Sequence, residues 1–144
     1  MYAKKVFLVA LVSLLSLVSL QAESTDLNLT KLNGNWHLRV MDGMEVRKAR
    51  AILDFDAEKM QLSGFDGCNR IHGALEKNST NIMSAKLIST RMACRENIHS
   101  YVSQRLQEAV AEGFSIKEEM KYDIQGITLK SAKHELFFKR MGKD

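Results

Sequence analysis

The stretch RENIHSYVSQRLQEAVAEG, residues 95–113, is the part of the sequence that has a helical repeat. Apolar side chains recur in it every three or four positions, which places them along one face of a helix. These apolar positions are Ile98, Tyr101, Val102, Leu106, Ala109 and Val110. We expect the opposite face to be solvated; it carries Arg95, Ser103, Gln104, Gln107, Glu108 and Glu112. Gly113 stands where a helix C-terminus favours positive φ, so we predict one amphipathic helix that ends there.

The chain before this helix has the two-residue repeat of β-strands. Trp36, Leu38 and Val40 alternate with the more polar positions His37, Arg39 and Met41, and we expect Trp36 to lie in the core. A second run, with apolar residues at 51, 53 and 55, turns at residues 56–59 into a strand at 60–62, which predicts a hairpin. We interpret residues 64–73, which include three glycines, as a loop. Short strands are predicted at 81–84 and 86–90.

Three further strands are predicted after the helix, at 114–118 continuing towards 124, at 127–130 and at 135–140. Gly126 and residues 131–133 are interpreted as the turns between them. Many short strands together with one helix predict an α+β fold. We expect a curved antiparallel β-sheet, or a small barrel-like meander, with the amphipathic helix packed on it.

The first 22 residues have the three zones of a secretory signal peptide. Lys4 and Lys5 precede an apolar run at 6–20, and Ala22 follows. The run is shorter than the roughly 20 apolar residues that span a bilayer. Leu20 is not the small residue that signal peptidase prefers, so an uncleaved anchor is the alternative. We predict a signal peptide at 1–22, a polar lead-in at 23–33 and a single domain at 34–141.

The predicted cleavage leaves a soluble protein that is periplasmic or secreted. No cysteine lies near the cleavage zone, so no lipid anchor is expected there. The formal net charge of +4 falls to +2 without the two signal-peptide lysines. No block of Lys and Arg with interleaved aromatic residues occurs, so we expect no nucleic-acid partner. We expect the mature protein to be a monomer without a stable membrane anchor.

Cys68 and Cys94 are the two cysteines of the chain. In an exported domain such a pair is typically a disulfide, and this one would stabilise the fold by about 3 to 4 kcal/mol. A redox-active thiol pair is one alternative. A metal site is another, because His72 and His99 follow the cysteines at short spacing and the methionines, led by Met60, Met83 and Met92, would suit copper(I). The methionines do not cluster, so we predict the disulfide, with no metal and no cofactor.

A nucleophilic site is the sharpest catalytic interpretation of the same region. It would use Cys68 as nucleophile, His72 as base and Asp66 to orient the base. A bridged cysteine has no thiolate to offer, and Asp66 and Asn69 are more simply explained as caps of backbone amides. Arg91 could bind an anion, although a solvated arginine is commoner. We expect His37, His99 and His134 at the surface, and we expect no enzyme activity.

The order of short motifs resembles that of a known family. Leu32-Asn33-Gly34-Asn35-Trp36 is followed by Gly67-Cys68-Asn69 with Gly73, and then by Thr90-Arg91-Met92-Ala93-Cys94. The helix, a strand at 126–130 and a final strand at 136–140 complete the order. Over about residues 30–141 this arrangement resembles the META domain family, which includes the HslJ-type heat-shock proteins of bacteria. We call the following positions the signature residues: Trp36, Gly67, Asn69, Gly73, Thr90, Arg91, Met92 and Ala93.

The resemblance implies a compact β-rich domain with one helix in a bacterial envelope protein. It also implies links to heat stress and antibiotic tolerance and, in some relatives, to motility or secretion, but no catalytic activity. HslJ-type members are often lipoproteins, whereas this chain lacks the lipid-bearing cysteine. Our leading hypothesis is a non-catalytic periplasmic protein that serves envelope integrity or stress tolerance by contacting an unidentified envelope protein or surface. The alternatives are a carrier for a small apolar ligand and a thiol-redox or metal-binding protein.

Overall fold

The computed structural model describes residues 29–142, so the predicted signal peptide lies outside the described residues. Within that range the chain forms ten strands, one α-helix and two short 3-10 turns at Leu29–Leu32 and Arg47–Ala49. The strands are β1 (Gly34–Met41), β2 (Met44–Glu45), β3 (Ile52–Asp56), β4 (Gln61–Phe65), β5 (Arg70–Lys77), β6 (Met83–Ala85), β7 (Ile88–Ser89), β8 (Phe114–Lys121), β9 (Ile124–Ser131) and β10 (Glu135–Arg140). The helix α1 covers Asn97–Glu112.

The strands form one curved antiparallel sheet whose two ends meet. Hydrogen-bonded neighbours follow the order β10-β9-β8-β6-β5-β4-β3-β1, and β1 also pairs with β10, which closes the strands into a ring. The closing pair includes Leu38 opposite Phe138. The short strands β2 and β7 pair with β1 and β5. The narrowest link joins β6 to β8 through one residue pair, Met83 with Phe114. The predicted α+β class, with a curved antiparallel sheet and one helix, is confirmed.

The core fills the space between the ring of strands and α1. Trp36, Phe55 and Phe138 are between 0 and 4% exposed, and the helix contributes Val102, Leu106, Ala109 and Val110 at 0%. The indole nitrogen Nε1 of Trp36 donates to the carbonyl oxygen of Leu32, at 2.8 Å. A buried indole thus keeps a partner for its polar atom, as a core tryptophan requires.

The helix begins two residues after the predicted start at Arg95 and ends where predicted, before Gly113 with its φ of 111°. The expected solvated face is wrong at three positions. Ser103 is buried, Glu108 is half-buried, and Gln107 is half-buried because its side chain turns towards the β4–β5 loop. Among residues 29–142 no helix combines the length and the apolar character needed to cross a bilayer.

The predicted loop at 64–73 is wrong, because most of it is the β4–β5 hairpin and only residues 66–69 form the connection. A Cβ on Gly64 would overlap the carbonyl oxygen of Ile52, and one on Gly73 would overlap that of Lys86. These glycines therefore permit close approach of neighbouring backbone and do not mark turns.

Gly126 gives a second example, because it lies inside β9 and not in the predicted turn. A Cβ there would overlap the carbonyl oxygen of Phe138 and press on the Phe137 ring. The turn lies instead at Tyr122 and Asp123, which both have positive φ. Two successive residues with positive φ match the twist of the flanking strands in a tight hairpin.

A bulge in β1 changes the face that its last residues present. The register shifts between Leu38 and Val40, so Met41 is fully buried while Val40 is only half-buried. The strict alternation expected from the sequence is wrong for this pair, because an extra residue in one strand reverses the alternation beyond it.

Candidate functional site

A disulfide between Cys68 and Cys94 joins two surface segments, with the Cα atoms 4.9 Å apart. Cys68 is buried in the β4–β5 loop, and Cys94 is exposed in the segment that precedes α1. No free cysteine occurs in the chain, so neither residue presents the thiolate that a nucleophile or a metal ligand requires. The part of the chain that the structure describes holds no group of three or more His, Cys, Asp or Glu side chains arranged for a metal ion.

Asp66 is a fully buried carboxylate that organises the β4–β5 loop. Its Oδ1 accepts from the backbone N–H groups of Cys68 and Asn69, at 2.8 and 2.7 Å. Its Oδ2 accepts from Nε2 of Gln107 on α1, at 2.5 Å. The prediction that Asp66 caps backbone amides is therefore confirmed. The bond to the helix was not predicted, because nothing in the local pattern connects positions 66 and 107.

Several signature residues tie the same loop to the segment before α1. Oδ1 of Asn69 accepts from the backbone N–H of Met92, at 2.6 Å, and from the hydroxyl of Thr90, at 3.3 Å. The carbonyl oxygen of Gly67 contacts Nδ1 of His99, at 2.7 Å. Gly67 has a φ of 102°, a conformation that favours glycine. Asn69 thus caps a backbone amide, but the prediction that this amide lies in its own loop is wrong, because it belongs to Met92 in the segment before α1.

The remaining signature residues lie in three different places. Trp36 is in the core and Gly73 is in β5, where it admits the backbone of Lys86. Arg91 is exposed on the segment before α1. Ala93 is exposed on the same segment and borders a cleft beside the disulfide. The signature is therefore a set of positions that the fold needs, together with one edge of a surface cleft.

The expected surface position of the three histidines is wrong, since each is half-buried. His99 contacts the Gly67 carbonyl, as described above. His134 lies between two carboxylates, with Nδ1 2.8 Å from Asp42 and Nε2 3.4 Å from Glu108. His37 has its Nε2 atom buried without a hydrogen-bond partner. Each ring stands where two segments that are distant in sequence pack together, and strand or helix periodicity does not predict such places.

A surface cleft of about 1040 Å³ opens beside the disulfide. One wall is the segment 45–50, the other is the segment 92–96, and His37 and His99 also border it. Phe65 and Ala93 contribute apolar surface. We call this feature the basic cleft, because Arg47, Lys48, Arg50 and Arg95 line it. Three of these cations come from the run RKAR at 47–50, which the sequence interpretation did not single out; nothing in the sequence brings Arg95 to it.

The cations of the basic cleft are only partly neutralised. Glu45 pairs with Arg47, with Oε1 and Nε 3.7 Å apart, and Glu96 pairs with Lys48 at 2.9 Å. The hydrogen bond and charge of Lys48 lower the pKa of Glu96. Arg50 and Arg95 form no ion pair with any residue of the described chain, so the cleft keeps an excess of positive charge.

At the inner edge of the cleft, burial and nearby arginines disfavour the protonated forms of His37 and Arg39. Burial lowers the pKa of His37, and the nearby charges of Arg39 and Arg47 lower it further. Burial and then Arg47 also lower the pKa of the Arg39 guanidinium. The Nε atom of Arg39 is buried without a hydrogen-bond partner. Close to the cleft, Nε of Arg39 is therefore held without a partner, while the His37 ring contacts the Arg47 backbone.

Replacing Asp66 with Ala is expected to lower the free energy of unfolding by about 3 kcal/mol, because three donors to a buried carboxylate lose their acceptor. Urea unfolding followed by circular dichroism measures the change. Asp56→Ala is the matched control, since Asp56 accepts from the backbone N–H of Lys59 alone, at 3.1 Å. A loss for Asp66→Ala no greater than that of the control would contradict the assigned role of Asp66.

Comparisons with known proteins agree with this architecture. The family model described as META domain matches residues 26–142. A protein from Burkholderia xenovorans solved by NMR is 23% identical; the match covers 80% of this chain and 87% of that chain, with a TM-score of 0.58. A second NMR structure is 26% identical, covers 76% of this chain and 90% of its own, and has a TM-score of 0.61. No curated protein sequence matches significantly.

Proposed function

The chain belongs to the META domain family, and from that membership we propose that it is a non-catalytic protein of the periplasm. In this proposal it supports envelope integrity or stress tolerance by contacting an envelope protein or surface. The family membership is consistent with such a role because the resemblance noted above links META domains to heat stress and antibiotic tolerance.

The disulfide supports a location outside the cytoplasm. Bridges such as Cys68–Cys94 persist in oxidising compartments and are rare where glutathione keeps thiols reduced. The signal-like pattern of residues 1–22 points to the same compartment. The two features are independent, since one concerns the targeting segment and the other the chemistry of the folded domain.

The filled interior is the observation on which the proposal rests. It favours a protein that contacts a partner over a protein that carries a ligand. Trp36, Phe55 and Phe138 occupy the centre of the ring together with the apolar face of α1. A carrier for an apolar molecule needs an interior cavity lined by such residues. The basic cleft, a large concave feature of residues 29–142, lies at the surface, and its cations suit contact with a polar partner.

Complementation in a bacterial strain that lacks the gene tests the proposed role. We expect the full chain to restore survival under heat or envelope-damaging antibiotics. A chain without residues 2–22 should accumulate in the cytoplasm and fail to restore it. Equal rescue by both chains, or a deletion strain without any envelope phenotype, would contradict the proposal.

Intact-mass spectrometry of the periplasmic fraction checks the export step separately. We expect a mature N-terminus at Glu23, because Ala22 is the small residue that precedes a polar lead-in. Material that retains residues 1–22 in the membrane fraction would instead support the uncleaved anchor.

A further inference from the structure

We propose that the basic cleft binds an acidic peptide segment of a partner protein, with Arg50 and Arg95 as the principal anchors. This inference rests on the proposed function, because it names the kind of partner through which the contact would act. Both arginines line the cleft and neither has an ion-pair partner in the part of the chain that the structure describes. A planar guanidinium binds a carboxylate through two parallel hydrogen bonds, which makes arginine well suited to this contact.

The cleft carries as much net positive charge as the whole chain after the predicted signal peptide. Arg47, Lys48, Arg50 and Arg95 line it with four positive charges, and Glu45 and Glu96 neutralise two. The remaining balance of +2 equals the formal charge of +2 for all residues after the predicted signal peptide. Net positive charge is thus concentrated at one concave place, where low-dielectric walls focus the field on an incoming anion.

The unmet hydrogen-bonding capacity of the cleft's inner edge is a second, independent observation. Nε of Arg39, close to the cleft, is buried without a partner, and Nε2 of His37 makes no well-formed hydrogen bond although the ring contacts the Arg47 backbone; buried polar atoms are nearly always satisfied. The positive charges of Arg39 and Arg47 also act on His37. A bound carboxylate would offset these positive charges, and after a small side-chain movement it would give His37 an acceptor.

The apolar part of the cleft distinguishes a peptide from a simple inorganic anion. Phe65 and Ala93 line it, and Met92 stands at its border with 60% of its surface exposed. Methionine is flexible and is frequent at surfaces that adapt to different partners. A segment that alternates acidic and apolar side chains would satisfy the arginines and cover this surface at the same time.

The shape of the site and its carboxylates favour a peptide over a lipid surface. A flat bilayer does not enter a concave cleft, whereas an extended peptide does. Glu45 and Glu96 would also be repelled by a dense layer of anionic headgroups, but a peptide can place its acidic side chains at the arginines and avoid both glutamates.

Fluorescence anisotropy with the purified, oxidised protein tests the proposal. The probe is a labelled, end-blocked hexapeptide that alternates Glu with Leu, and the same peptide with Lys in place of Glu is the comparison. We expect the acidic peptide to bind, the basic peptide not to bind, and binding to weaken steeply as salt is raised. Arg50→Glu combined with Arg95→Glu should weaken binding by at least about tenfold.

The matched control is Lys59→Glu combined with Lys130→Glu, which makes the same charge change at exposed positions outside the cleft. We expect the dissociation constant of this variant for the acidic peptide to lie within about twofold of that of the unmodified protein. Equal weakening by both double variants would overturn the proposal, since only net charge would then matter. Failure of the acidic peptide to bind at millimolar concentration would also overturn it.

Two further titrations test whether the cleft binds other anions. Inorganic phosphate and vesicles that contain phosphatidylglycerol are each titrated against the unmodified protein and the arginine variant. Arginine-dependent binding of either one, without binding of the acidic peptide, would assign the cleft to phosphate groups and overturn the peptide proposal. Circular dichroism of every variant establishes that a loss of binding is not a loss of fold.

The complementation strain separates this inference from the proposed function. If the arginine variant restores survival as well as the unmodified chain, the cleft inference fails and the envelope role stands. If the acidic peptide binds as expected but the deletion strain has no envelope phenotype, the envelope role fails and the binding assignment stands.

Discussion

Replacement of Leu106 with Asp is expected to destabilise the domain by about 4 kcal/mol, close to the whole stability of many small domains. Leu106 is 0% exposed and lies between Val102 and Val110 on the face of α1 that packs on the sheet. A carboxylate there would lose its hydration without gaining a partner. Urea unfolding followed by circular dichroism measures the loss, and a protein that does not fold at 25 °C is the extreme form of the expected result.

Gln104→Asp is the matched control for this prediction, because Gln104 is exposed on the opposite face of α1. We expect Gln104→Asp to change the free energy of unfolding by no more than about 0.5 kcal/mol. Gln107 does not serve this purpose, because it donates to the buried Asp66 and a carboxylate there would face another carboxylate. Equal losses at positions 104 and 106 would contradict the assigned helix face.

Removal of the disulfide by Cys68→Ala with Cys94→Ala is expected to lower the free energy of unfolding by about 3 to 4 kcal/mol. The bridge closes a loop with a sequence separation of 26, and its loss enlarges the conformational freedom of the unfolded chain. The core should still form, because the ring of strands and α1 pack independently of the bridge. Thermal melting with and without a reducing agent gives the same comparison in the unmodified protein.

Alkylation of the denatured but unreduced protein is the direct check of the bridge. We expect no labelled thiol, and two labelled thiols would contradict the disulfide and restore the redox and metal hypotheses. Zinc or copper should not change the melting temperature of the oxidised protein, since both sulfurs are already bonded to each other. A clear metal-dependent rise would point to ligands other than the thiolates.

Much of the fold could be predicted because the relevant signals are local. The three- and four-residue spacing of Ile98, Val102 and Leu106 predicts the helix, and Gly113 marks its end. The alternation in residues 51–55 predicts a strand and its hairpin partner. The predicted loop and turn that proved wrong involve Gly64, Gly73 and Gly126, because a glycine that admits a neighbouring strand has the same sequence signature as a glycine in a turn.

The candidate site was less predictable, because it is assembled from distant segments. The cysteine pair follows from residue type and the predicted export, and the amide-capping role of Asp66 follows from residue type. The contact of Asp66 with Gln107 spans 41 positions, and Arg50 and Arg95, which line the same cleft, come from segments 45 positions apart in the sequence. The periodicity within a single segment does not predict which distant segment it will contact.

The elements, the α+β class and the pairing of Cys68 with Cys94 could be predicted from the sequence alone, since each follows from short-range spacing or from the presence of two cysteines in a chain whose export is predicted. The tertiary structure decided three things: the closure of β1 on β10, the burial of Asp66 beneath α1, and the gathering of unpaired arginines around one cleft. The physical reason is that these features arise from packing between segments far apart in the chain. Such packing is selected by the free energy of the whole core and not by any local stretch.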